Sequence, residues 1–103
     1  MTEKQILLEE VLEIVRRINT GESKFPEHFF GIEHIVLDHK AKYSGCEVVA
    51  AGGGPTIMVN TEFEMVLGQS GTSDCIERPY NNDDFTISVQ NQALEMIRKQ
   101  WRP

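Results

Sequence analysis

Three short strand-like runs in the middle of the chain lie so close together that they can pair only as antiparallel strands. The runs are Cys46–Ala51, Thr56–Asn60 and Glu64–Gln69, separated by Gly52-Gly53-Gly54-Pro55 and by Thr61-Glu62-Phe63. A parallel return would need a crossover of about a dozen residues, and short spacers containing glycine favour hairpins. The spacing therefore predicts an antiparallel meander, with Ile57 and Val59 on one face and Met58 on the other.

Helical periodicity occurs before this meander. The apolar residues that repeat at the spacing of one helix face are Leu7, Val11, Ile14, Val15 and Ile18. This stripe predicts a helix from residue 3 to 19. Thr2 and Gln5 are spaced for a capping box, and Gly21 suits the left-handed turn that ends many helices.

A second helical stripe follows the meander. Its apolar residues are Val89, Ala93, Met96 and Ile97. Ser88 is placed to cap this helix, and Trp101 lies one turn beyond Ile97, where we expect it to anchor the helix end against the sheet.

The segments between these elements predict two more strands. Residues 32–43 fit helical spacing as well as a strand, and their β-branched content favours a strand over Ile32–Leu37. Tyr43-Ser44-Gly45 is expected to break that strand. Cys75–Glu77 predicts a short edge strand.

Two amphipathic helices and a meander each leave an apolar face uncovered, so they must pack on one another. We therefore predict an α+β fold: a single domain, residues 1–103, with N- and C-terminal helices on one face of an antiparallel sheet of three to five strands. The adjacent Phe29 and Phe30 are expected to lie as lids on its core.

Negative charge is concentrated in the second half of the chain. The net charge is −6, and the stretch from Thr61 to Asp84 carries −5 of it, because it holds six acidic residues and one basic residue, Arg78. The residues predicted to face a partner are Glu62, Glu64, Asp74, Glu77, Tyr80, Asp83 and Asp84. Clustered carboxylates steer and orient a basic partner. The leading hypothesis is therefore an acidic docking surface for a basic protein, and the alternative is a solvated face that only confers solubility.

The hairpin from Ala51 to Thr61 carries a resemblance to known proteins. It reads AGGGPTIMVNT and, with Tyr43-Ser44-Gly45 before it, resembles a hairpin of small uncharacterised proteins of phages and bacterial mobile elements. The resemblance implies an accessory gene and, by context, an anti-defence role like that of anti-CRISPR and anti-restriction proteins. It therefore implies a bacterial host defence protein, such as a CRISPR or restriction nuclease, as the partner, and gives no residue a role.

The residue types allow two other functional hypotheses. Backbone amides of a loop such as Gly52-Gly53-Gly54 can hold an anion, which would make the chain a small anionic-ligand module. The spacing of known phosphate loops is absent, however, and a bulged hairpin turn explains the glycines equally. A minor metal protein or enzyme is the third hypothesis, with His34, Asp38, Cys46 and Cys75 as candidate ligands that no zinc-type spacing connects.

Size and composition exclude several functional classes. A small core rarely holds a pocket of about 300 Å³ or more, so we expect that the chain is not an enzyme and that it binds no cofactor or metal. The negative charge argues against direct contact with nucleic acid. We also expect no signal peptide, no membrane span and, from two unpaired cysteines, a cytoplasmic location. A homodimer through a sheet face that carries Met58, Phe63, Met65 and Val66 is left open.

Overall fold

The computed structural model describes residues 2–52, 55–71 and 74–100. The element order is α1 (Glu3–Thr20), β1 (Gly31–Leu37), β2 (Tyr43–Ala51), β3 (Thr56–Asn60), β4 (Met65–Ser70), β5 (Asp74–Pro79) and α2 (Asp83–Gln100). The strands form one antiparallel sheet in the order β1-β2-β3-β4-β5. The α+β prediction is confirmed, with five strands in the sheet. Trp101 lies outside the described residues.

Helix α1 begins and ends as its sequence predicts. The amide of Gln5 donates to the hydroxyl of Thr2 at 3.2 Å, and the amide of Thr2 donates to the side chain of Gln5 at 2.9 Å. Gly21 ends the helix in the left-handed conformation, with φ 80°. The buried residues of the stripe are Leu7, Val11 and Ile18.

Strand β2 begins three residues earlier than predicted. Tyr43-Ser44-Gly45 does not break the pattern, because Tyr43 pairs with Leu37 and Gly45 with Val36 of β1. Hydrogen bonds of the ladder override the weak strand preference of glycine at this place. The prediction of a strand rather than a helix over residues 32–37 is confirmed.

One face of the sheet holds the core. Residues directly opposite each other on neighbouring strands share a face, and the row Val48, Val59 and Val66 is fully buried. Helix α1 contacts chiefly β4 and β5, and α2 contacts chiefly β2. Both helices contribute buried residues to a single cluster with this row, so they cover the same face. Met58 points to the other face, as predicted.

Helix α2 begins five residues before the predicted cap. The side-chain oxygen of Asn82 accepts a hydrogen bond from the amide of Phe85 at 3.1 Å, which makes Asn82 the N-cap. The prediction for Ser88 was wrong, because Ser88 is a residue of the second turn of the helix, where its hydroxyl donates a hydrogen bond to the carbonyl of Asp84 at 2.9 Å. Phe85, the first buried residue of α2, explains the earlier start.

The two adjacent phenylalanines have different surroundings. Phe29 packs on Phe85, with ring centroids 5.3 Å apart, and is half-buried. Phe30 is 78% exposed. Its amide hydrogen-bonds to the carbonyl of Val49, which leads the chain into β1 and leaves the ring outside the core. The prediction of a core lid was therefore wrong for Phe30.

Candidate functional site

The turn Thr61–Glu64, which joins β3 to β4, has its backbone held on both sides. The amide of Thr61 donates to the carbonyl of Cys46 at 2.9 Å, and the amide of Cys46 donates to the hydroxyl of Thr61 at 2.9 Å. The amide of Phe63 donates to the side chain of Asn60 at 3.1 Å. The turn therefore has one well-defined backbone path.

Glu62 is fixed against the neighbouring strand. Its carboxylate accepts a hydrogen bond from the hydroxyl of Ser44. Its backbone lies directly over Gly45, where a Cβ atom would be only 2.6 Å from the Cα of Glu62. This close approach requires glycine at position 45. The turn is thus packed onto β2 by shape as well as by hydrogen bonds.

Glu64 has a backbone conformation that its residue type rarely adopts. Its φ is +55°, which costs a non-glycine residue about 1–2 kcal/mol. The carbonyl of Glu64 accepts a hydrogen bond from the amide of Tyr80 at 3.1 Å, which joins the turn to the end of β5. Strain of this kind is found where a surrounding structure needs one particular geometry, and it often marks functional sites.

Phe63 is displayed by this rigid turn. Its side chain is 70% exposed, although its backbone amide is hydrogen-bonded. An exposed aromatic ring on a preorganised turn is typical of residues that anchor protein interfaces, since little entropy is lost when they bind. Carboxylates precede and follow it in the chain, at Glu62 and Glu64.

The turn borders the sheet face that the helices leave uncovered. Of the rows of side chains that the register places there, two lie nearest the turn. One row is His34, Glu47, Asn60, Met65 and Pro79, and the other is Gly31, Val49, Met58, Leu67 and Glu77. We call these two rows the open face. Its apolar centre consists of Val49, Met58, Met65 and Leu67, all half-buried.

Five of the six predicted partner-facing carboxylates lie in three places. Glu62 and Glu64 lie in the turn, and Glu77 lies on the open face. Asp83 and Asp84 occupy the first turn of α2. Asp74 begins β5, roughly 17 Å from Pro79 at about 3.3 Å per residue, and its side chain lies outside what the structure describes.

Two of these groups converge near Tyr80. The charges of Glu64 and Asp83 both act on its hydroxyl, although burial is the main reason why the pKa of Tyr80 rises to about 12. Among the described residues, the carboxylates of the turn, the open face and the first turn of α2 form no ion pair with Lys or Arg. Arg16 pairs instead with Glu13 and Glu22, and Arg98 with Glu95.

Tyr80 itself does not belong to the surface. Its side chain is 4% exposed, packs edge-on against Phe85 and shares a hydrogen bond with the hydroxyl of Thr86 at 2.7 Å. The expectation that Tyr80 faces a partner was wrong, because the chain turns inward after β5 and uses the ring to fill the core. Val66, which the sequence left open between a dimer surface and the core, is also buried.

The glycine loop is only partly described. Gly53 and Gly54 lie outside the described residues, and Gly52 is exposed. A depression of about 480 Å³ at Gly52 is bordered by Glu9, Glu10 and Glu13, and Arg17 is the one cation among the described residues that line it. Arg17 already pairs with Glu13 at 3.0 Å. These carboxylates repel an anion, so the described surroundings do not favour the anionic-ligand hypothesis.

The candidate metal ligands are not brought together. Cys46 is buried on the core face, where burial raises the pKa of its thiol. Cys75 is exposed on β5, three strands away. The side chain of Asp38 accepts hydrogen bonds from the amides of Lys40 and Lys42. The Nδ1 atom of His34 lies 3.4 Å from the Oε1 atom of Glu47. No cluster of three metal-ligating side chains occurs in the described parts of the chain.

Sequence reasoning named the carboxylates of this site but missed the turn that displays Phe63. It treated residues 61–63 as a spacer and named Phe63 only as a residue of either a dimer surface or the core. It also missed Val49 and Leu67, whose exposure depends on which sheet face the helices cover. The signal available in the sequence was the alternation along the strand, which places Met58 on the sheet face opposite to that of Ile57 and Val59.

Comparisons with protein-family models, curated proteins and solved structures find no match to this chain. Neither helix, over the residues that the structure describes, is long and apolar enough to cross a bilayer.

Proposed function

We propose that the chain is a small protein-binding inhibitor that docks its carboxylates on a basic, nucleic-acid-binding surface of a host defence protein. The observation that carries the proposal is the turn Thr61–Glu64. It presents an exposed aromatic ring between two carboxylates on a backbone that neighbouring strands hold in place.

Charge supports the same interpretation. The carboxylates of Glu62, Glu64 and Asp83 have no Lys or Arg partner among the described residues. The net charge of the chain is −6. Unpaired carboxylates on a rigid surface attract a basic partner over a Debye length of about 8–10 Å. A groove that normally binds phosphates offers the matching positive charge.

The resemblance to phage and mobile-element proteins supports the choice of partner. It favours a CRISPR or restriction nuclease of a bacterial host. Inhibition would then follow from competition, because side-chain carboxylates occupy the place of the nucleic-acid phosphates.

The test is DNA cleavage by purified CRISPR and restriction nucleases with increasing amounts of the chain. We expect one nuclease to be inhibited, and inhibition to weaken as salt rises. The double variant Glu62→Gln with Glu64→Gln should slow association about ten-fold at low salt. The matched control is Glu9→Gln with Glu27→Gln, which changes the net charge equally at exposed positions outside the turn.

Three results would count against the proposal. Cleavage unaffected in every nuclease would exclude this class of partner. Inhibition that does not change with salt would exclude docking through carboxylates. Equal effects of the two double variants would show that only net charge matters, and not the turn.

A further inference from the structure

A depression at the border of the turn and the open face combines an aromatic wall, an apolar floor and a carboxylate. Its volume is about 310 Å³, and its walls are Asn60, Phe63, Met65, Leu67 and Glu77. The residues come from β3, β4, β5 and the turn between β3 and β4. The backbone frame that positions them is therefore the sheet itself.

The carboxylates of the two open-face rows border this depression, and Arg78, which belongs to neither row, donates a hydrogen bond from its guanidinium to the carbonyl of Glu77 at 2.7 Å. The two rows of the open face contain Glu47 and Glu77, and within these rows neither Lys nor Arg occurs. His34 is their one basic side chain, and it already lies beside Glu47. A second copy of the face would bring more carboxylates to this surface, whereas a basic partner would neutralise them.

The chemistry of the walls matches a long basic side chain. Lys and Arg combine a methylene stem, which packs on apolar surface, with a cationic head. Met65 and Leu67 offer the apolar surface, and Glu77 offers an anion. The exposed ring of Phe63 attracts a cation to its face.

We infer that this depression receives one lysine or arginine side chain from a partner protein. The stem lies on Met65 and Leu67, and the head contacts the ring of Phe63 and the carboxylate of Glu77. The inference rests on the proposed function, because it names the part of the basic partner that the surface binds.

The test uses short peptides and does not need the natural partner. The probe is the capped peptide Ser-Leu-Arg-Leu-Ser, and its control carries citrulline, an uncharged analogue of arginine, at the central position. Binding is followed by NMR of the methionine methyl groups, since Met58 and Met65 both lie on the open face. We expect the Met65 signal to shift most, and the citrulline peptide to bind at least four-fold more weakly.

Variants of the chain identify the contacts. Glu77→Gln and Phe63→Ala should each weaken the arginine peptide about four-fold. Glu27→Gln removes one exposed carboxylate far from the depression in sequence, and should leave the affinity unchanged. Thermal unfolding of each variant checks that the fold is retained, which is expected because Phe63 and Glu77 are both exposed.

Four results would overturn the inference. The first is equal affinity for the arginine and citrulline peptides, and the second is an effect of Glu77→Gln no larger than that of Glu27→Gln. The third is a methionine shift that depends on protein concentration without peptide, which would show that a second copy covers the face. The fourth is equally tight binding of methylguanidinium, which carries the charge of arginine without its methylene stem, and this result would indicate a site for small cations.

The two proposals fail in different experiments. If no nuclease is inhibited but the arginine peptide binds specifically at Glu77, the inferred role of the depression is correct and the proposed class of partner is wrong. If a nuclease is inhibited but both peptides bind equally, the proposed function is correct and the inferred role of the depression is wrong.

Discussion

At the scale of single residues, Glu64 shows how the turn is held in an unfavourable conformation. Its positive φ is shared, among the described non-glycine residues, only with Ala41. The hydrogen bond from Tyr80 to the carbonyl of Glu64 and the contact of Glu62 on Gly45 hold the two ends of this region. The surrounding strands therefore maintain a geometry that the isolated turn sequence would seldom adopt.

We predict that Glu64→Gly stabilises the protein by about 0.5–1 kcal/mol. Glycine adopts positive φ without the steric cost of about 1–2 kcal/mol, and this gain exceeds its larger loss of backbone entropy on folding. The measurement is chemical denaturation at neutral pH. Glu64→Ala is the control, since it removes the carboxylate but keeps the steric cost, and a similar gain in Ala would contradict the explanation.

At the scale of elements, Asn82 joins the two helices. Its side chain caps α2 through the amide of Phe85, and also donates to the carbonyl of Ile18 in the last turn of α1 at 2.7 Å. The neighbouring amide of Asn81 donates to the side chain of Asn19 at 2.6 Å. The start of α2 is therefore set by contacts with the end of α1 as well as by its own sequence.

We predict that Asn82→Ala destabilises the fold by about 1–2 kcal/mol, because it removes both the cap and the bond to α1. Ser88→Ala should change stability by less than about 0.5 kcal/mol. Ser88 is a solvent-exposed residue within α2, and alanine is a better helix former than serine. Urea denaturation of both variants decides. A larger loss of stability for Ser88→Ala than for Asn82→Ala would show that Ser88 is the N-cap, as the sequence predicted.

At the scale of the whole molecule, one sheet face is covered by helices and the other is open. Gly68 on β4 lets α1 approach closely, since a Cβ there would lie 2.5 Å from the Cγ2 of Val11 and 2.9 Å from the Cδ1 of Leu7. The covered face is therefore closed without room for an added methyl group. The open face keeps its apolar side chains half-buried.

We predict that Gly68→Ala destabilises the protein by about 1–3 kcal/mol, because an overpacked core must shift to relieve the contact. Gly52→Ala is the matched control, since nothing lies within 4 Å of its added Cβ, and its stability should stay close to that of the original chain. Calorimetric unfolding compares the two. Equal stability of both variants would mean that α1 does not press on the sheet as described.

The amino-acid sequence by itself determined the local elements. The capping box at Thr2, the left-handed Gly21 and the alternation around Met58 depend on near neighbours, and the structure confirms each of them. Tertiary structure decided which sheet face is covered, why Tyr80 and Val66 are buried, and why Phe30 and Phe63 are exposed. It also divided the carboxylates among the turn, the open face and α2. The reason is physical: periodicity and capping arise within a few residues, whereas the choice of which sheet face is covered depends on contacts between segments distant in the chain.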